Sequence, residues 1–184
     1  MKFHATSLPD LTLIETSRIE DDRGHFSRVF CAAECTAIRA DLQWTQINVS
    51  RTYHKGSVRG MHFQYPPATE AKLIRCLRGR VFDVAVDLRV DSPTFLRWHG
   101  VELEEDGNTQ FFLPEGFAHG FQALTDDVQL LYLHTAAWNR QQEGGLRHDD
   151  PILAITWPLP ITQISDKDRH WPLVQDSRFA GVQP

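Results

Sequence analysis

The chain has 184 residues, of which 41% are hydrophobic and 23% charged, and a formal charge of −5. That length fits one domain with a sizeable core, and the composition is ordinary for a soluble globular protein. The negative balance and the lack of any lysine or arginine run argue against a nucleic-acid partner, so phosphate binding would need individually placed arginines.

From the N-terminus, residues 1–24 show no apolar core of a signal peptide, and no later segment approaches membrane-spanning length. Residues 32–40 read as the one clear helix. Cys31 and Cys35 would share a face there, which a short packed helix also explains. With Cys76 they form neither a C-x-x-C pair nor a disulfide framework, so a cytoplasmic setting is expected.

The next hundred residues read as short strands. Residues 81–87 are the clearest, with Phe82, Val84 and Val86 on one face and Asp83 and Asp87 on the other. Further strands are expected over 46–53, 58–63, 72–77, 98–103, 109–113, 118–123 and 129–134. Turn signals such as Lys55-Gly56, Arg78-Gly79 and Pro114-Glu115-Gly116 separate them. The spacing predicts an all-β jelly-roll barrel forming a single domain over 1–184. From about residue 138 an irregular, proline-rich tail is expected to wrap the barrel.

Nine histidines make metal the first chemistry to test. A metal-binding barrel of this kind presents H-x-H with a nearby glutamate and a later histidine. Here His62 stands alone, Glu70 falls in the following loop, and His119 is isolated. That donor pattern is poor for a transition metal, so no metal is expected. A histidine lining a barrel without metal is suited to general base work. Tyr132 is a candidate acid, Lys72 a cation for a developing oxyanion, and carboxylates of the tail candidates to orient the imidazole. For each residue alone, ordinary packing is the competing explanation.

The motifs DDRGHF (21–26), VRGMHFQ (58–64), residues 71–95, LPEGFAHGF (113–121), LLY (130–132) and SDKDRH (165–170) closely resemble the dTDP-4-dehydrorhamnose 3,5-epimerase family. The resemblance runs from about residue 5 to 174. It implies a cupin-type jelly roll that epimerises a nucleotide-linked 4-keto-6-deoxy sugar without a cofactor. By position, it implies His62 as base, Asp168 as its orienting carboxylate, Lys72 as enolate cation and Tyr132 as proton donor. His119 would lie near the same carbonyl. Arg23 and Arg59 match diphosphate-binding arginines, and Gln46, Asn48, Glu143 and Lys167 match further substrate contacts. The resemblance also implies a homodimer whose N-terminal strands join the partner's sheet.

Three positions depart from the family pattern: Arg28 for glutamate, Ile47 for aspartate and Trp138 for tyrosine. Tryptophan still offers a face for stacking a base. These departures motivate a second reading, a single-centre epimerase acting on a related dTDP- or CDP-linked sugar. A metal-dependent enzyme and a non-catalytic sugar-nucleotide binder are the readings from other classes. One geometric problem remains open. Strict alternation sends Arg59 and His62 to opposite faces, so either a bulge near Gly60 re-aims one of them or Arg59 serves a neighbouring subunit.

Overall fold

The alternation read in residues 81–87 forms a strand, Arg80–Asp87, that is buried on both faces. Val81 and Ala85 enter an apolar cluster with Leu103, Phe111, Phe117, Phe121 and Leu130. Val84 and Val86 enter a second cluster with Met61, Leu146, Leu153 and Val182. Each fully buried branched side chain contributes about 1.5–3 kcal/mol, so both coverings stabilise the strand. One covering is a facing sheet; the other is the chain's own C-terminal tail.

A computed structural model describes residues 1–177 and 179–184. Its strands in chain order are β1 (Lys2–Ala5), β2 (Thr12–Glu15), β3 (Arg18–Asp21), β4 (Gly24–Ser27), β5 (Gln46–Thr52), β6 (Val58–Gln64) and β7 (Lys72–Arg78). They continue with β8 (Arg80–Asp87), β9 (Trp98–Glu104), β10 (Thr109–Leu113), β11 (Phe117–Ala123), β12 (Val128–His134) and β13 (Glu143–Gly145). One sheet has the order β1-β2-β10-β7-β12-β5 and the other β13-β6-β11-β8-β9. Neighbours in both sheets run antiparallel. The sheets close over the first apolar cluster as the jelly roll that the turn spacing predicts.

The helix expected over 32–40 is much shorter. Only α1, Ala32–Cys35, is helical. Its N-cap Cys31 gives no side-chain cap, and the Thr36 hydroxyl donates back to the Ala33 carbonyl at 2.8 Å as the helix ends. Ion pairs from Arg39 to Asp41 and Glu115 then tie the following turn to the barrel. The first 27 residues hold four strands that the sequence pattern did not reveal. Each has only four residues, too few for alternation to stand out.

Among the described residues the β3–β4 hairpin pairs only with itself, as a separate two-stranded sheet. It leaves Ile19 and Phe26 exposed. The tail carries Leu146, Leu153, Ile155, Trp157, Val174 and Val182 onto the outer face of the five-stranded sheet. It also contains α2, Asp166–Arg169, which touches β6.

Candidate active site

A cavity of about 850 Å³ opens inside the barrel, lined by polar side chains from β5, β6, β7, β11, β12 and the tail. How β6 contributes to it turns on one irregularity. His62 is opposite His119 and Arg59 is opposite Phe121, so three steps on β6 match two on β11. The extra residue is a bulge around Gly60, whose φ is +118°. A Cβ there would lie 2.5 Å from the Gly120 Cα and 2.7 Å from the His119 carbonyl oxygen, so only glycine allows this approach. Beyond the bulge, Met61 and Phe63 turn outward to the tail, and Arg59 and His62 both line the cavity.

Asp168 reaches His62 from the tail. Ser165 caps α2, accepting from the Asp168 N–H at 3.1 Å, the start signal expected of S-x-x-D. The cap fixes Asp168 in the first turn with its carboxylate buried against β6. His62 Nε2 lies 2.5 Å from Asp168 Oδ1, and the Gly60 N–H donates to Oδ2 at 3.3 Å. Burial alone would push this carboxyl up. The His62 hydrogen bond and charge, with the Gly60 and Ser165 contacts, outweigh burial and hold it below the usual carboxylate range. An ionised Asp168 fixes the proton on His62 Nε2. Among the described residues no side chain or backbone group bonds Nδ1, which leaves that lone pair for a ligand.

A second pair stands on β11 and β8, where His119 Nε2 lies 2.8 Å from Asp83 Oδ1. Asp83 is fully buried, and desolvation pushes its carboxyl up despite the neighbouring His119. Tyr132 on β12 packs edge-on to His119 and meets the Ser50 hydroxyl at 3.2 Å. Burial pushes its phenol well above the ordinary range, against the pull of Ser50, so the hydroxyl is neutral near pH 7 and able to donate. Lys72 on β7 is 6% exposed, with Nζ 3.2 Å from Glu70 and donating to the His62 carbonyl at 3.3 Å.

Around the cavity, Arg59 donates from Nε to the Thr52 hydroxyl and from Nη2 to the Arg51 carbonyl. Among the described residues no carboxylate pairs with it, so its charge is available to an anion. Asn48, Trp138, Glu143 and Lys167 also line the cavity, and Lys167 is ion-paired with Glu143 at 2.7 Å. Gln46 acts one step back: its side-chain carbonyl accepts from the Trp138 N–H at 3.0 Å.

Three residues are not brought together with these. Arg23 sits in the β3–β4 turn, exposed and bonded to Asp21. Arg28 pairs with Glu34 at 2.6 Å. Ile47 is 62% exposed and, by strand alternation, faces away from the inward Gln46 and Asn48. The charge changes at 28 and 47 therefore do not touch the cavity of their own chain. Asp83, Glu70, Ser50 and His134 escaped the sequence reading as site residues. Only Asp83 left a usable signal, a carboxylate on the inward register of 81–87.

Residues 5–176 match the family model described as dTDP-4-dehydrorhamnose 3,5-epimerase. The chain is 41% identical over 173 residues to a dTDP-4-dehydrorhamnose 3,5-epimerase of Sinorhizobium fredii, covering 94% of this chain and 89% of the relative. The RmlC epimerase of Legionella pneumophila, solved with dTDP-4-keto-L-rhamnose, superposes with a TM-score of 0.93 at 36% identity, covering 100% and 98% of the two chains. ChmJ of Streptomyces bikiniensis, a 3′-monoepimerase solved with dTDP-quinovose, superposes with a TM-score of 0.88 at 34% identity, covering 94% and 88%.

Proposed function

This chain belongs to the dTDP-4-dehydrorhamnose 3,5-epimerase family, and on that premise we propose that it inverts C3 and C5 of dTDP-4-dehydro-6-deoxy-D-glucose to give dTDP-4-dehydro-L-rhamnose. The observation that carries the reading is a base, an orienting carboxylate, a buried cation and a neutral phenol around one cavity.

The chemistry follows from the ketone at C4, which acidifies the hydrogens on C3 and C5 by spreading the carbanion onto oxygen. His62 Nδ1 removes the proton while Asp168 holds the Nε2–H and stabilises the imidazolium. The Lys72 ammonium faces the enolate oxygen, with His119 beside it, and such preorganised charge is often the largest catalytic contribution. Tyr132 returns a proton to the opposite face. Arg59 holds the diphosphate, Trp138 stacks on the base, and Asn48, Glu143 and Lys167 contact the remainder, so remote binding energy positions the sugar.

The same reading includes a homodimer. The self-paired β3–β4 hairpin exposes Ile19 and Phe26, and the edge strand β5 exposes Ile47 and Val49. An open edge and two apolar patches are well suited to each other. Pairing hairpin to edge between two copies would carry Arg23 towards the partner's cavity, to join Arg59 as the second diphosphate arginine that the family resemblance implies. A cytoplasmic setting agrees with three free cysteines.

The test is incubation with the dTDP-4-keto sugar in deuterium oxide, followed by NMR. Deuterium at both C3 and C5 with the L-rhamno product supports the proposal. Exchange at one centre replaces it with the single-centre reading, and no exchange overturns both.

A further inference from the structure

Glu70 lies two residues before Lys72, buried in the cavity wall, and each of its oxygens has a different partner. Oε1 is 3.2 Å from the Lys72 ammonium, and Oε2 is 2.8 Å from His134 Nδ1. The ammonium is thereby held at the cavity wall by the Glu70 charge and by its hydrogen bond to the His62 carbonyl. With one donor spent on the His62 carbonyl and the charge drawn to Glu70, the position of the ammonium is set, and Lys72 lines the cavity. The His134 ring in turn lies nearly parallel to the Tyr132 ring, with centroids 6.0 Å apart and planes 21° apart. One chain of contacts therefore joins the cation, a carboxylate, an imidazole and the phenol.

We propose that Glu70 and His134 are positioning residues for the reaction: Glu70 aims the Lys72 ammonium at the enolate oxygen, and His134 anchors Glu70 while bracing the Tyr132 ring. This rests on the function proposed above. Neither residue needs to touch the sugar. Burial pushes the Glu70 carboxyl up, but the Lys72 charge and the His134 hydrogen bond outweigh it and keep the group ionised. Without that anion, a buried ammonium loses its aim and a counter-charge beside it.

The experiment compares wild type with E70Q, H134L and H134N, measuring kcat and KM on dTDP-4-dehydro-6-deoxy-D-glucose. E70Q removes the charge, and H134L removes the donor to Glu70. Asparagine restores a donor near the position of Nδ1. We expect E70Q and H134L to lose up to about 100-fold in kcat with KM little changed, the pattern of misplaced catalytic groups. H134N recovers most of the loss seen in H134L. Unchanged kcat in E70Q and H134L overturns the proposal, as does a rise in KM alone or an H134N as slow as H134L. Should E70Q fail to fold by thermal melting, the comparison of H134L with H134N decides. A wild type inert on this sugar overturns the functional reading itself; an active wild type indifferent to these changes overturns only the positioning role.

Discussion

Arg59 and His62 stand three residues apart on β6 and line the same cavity, because the bulge at Gly60 reverses the alternation between them. In a regular strand with the same spacing, alternation would send one of them out to the tail. The bulge is thus what places a cation suited to diphosphate and a base suited to the sugar around one ligand.

Replacing Gly60 tests this directly. G60A puts a Cβ against the Gly120 backbone at a positive φ. It should destabilise the fold by at least about 1–3 kcal/mol, measured as a lower denaturant midpoint. Its folded fraction should also turn over more slowly, because the bulge that aims both side chains is disturbed.

His62 and Tyr132 should separate into two half-reactions. H62N should lose about 10²–10⁴ in rate and stop deuterium entering the sugar. Y132F should slow inversion by a similar factor, yet continue to exchange deuterium, since the base remains on its own face. NMR in deuterium oxide reads both outcomes. Loss of exchange in Y132F to the level of H62N would show that the phenol is needed before the proton leaves.

Asp168 should make stability depend on pH. Its folded pKa lies below the unfolded value, about 3.9, so its contribution is complete above that pH and fades as pH falls through the folded pKa. D168N should therefore be less stable than wild type at pH 7, by about 1–3 kcal/mol for the lost buried contacts. The gap should narrow as the pH falls below that unfolded value. Denaturant midpoints at pH 7 and pH 3 measure it.

Arg23 should complement across subunits. R23A and H62N, each nearly inactive alone, should regain activity when co-refolded, because a mixed dimer holds one cavity with both wild-type residues. Rates before and after co-refolding measure this. No recovery from a demonstrated mixed dimer would place Arg23 outside the partner's cavity. I19D/F26D should shift sedimentation towards monomer.

The barrel was largely legible because strand alternation is local. The pleat repeats every two residues, so 81–87 and 129–134 announce themselves, as do the glycine and proline turns between them. The four N-terminal strands were not, since four residues carry too little pattern. The helix over 32–40 was overread: good local propensity gave way to the Thr36 cap and the pull of Arg39 towards Glu115.

The motifs around His62, Lys72, Tyr132 and Asp168 determined by themselves which family the chain resembles and which chemistry to look for. Tertiary structure decided how those residues meet. Asp168 reaches His62 across 106 residues only because the tail packs on the outer sheet and α2 is capped beside β6. Pairing of β6 with β11 decided that Arg59 shares the cavity, and the inward register of β8 decided that Asp83 faces His119. A period of two residues is written in the chain, whereas a bulge or a long-range ion pair belongs to two segments at once. Only their packing settles it.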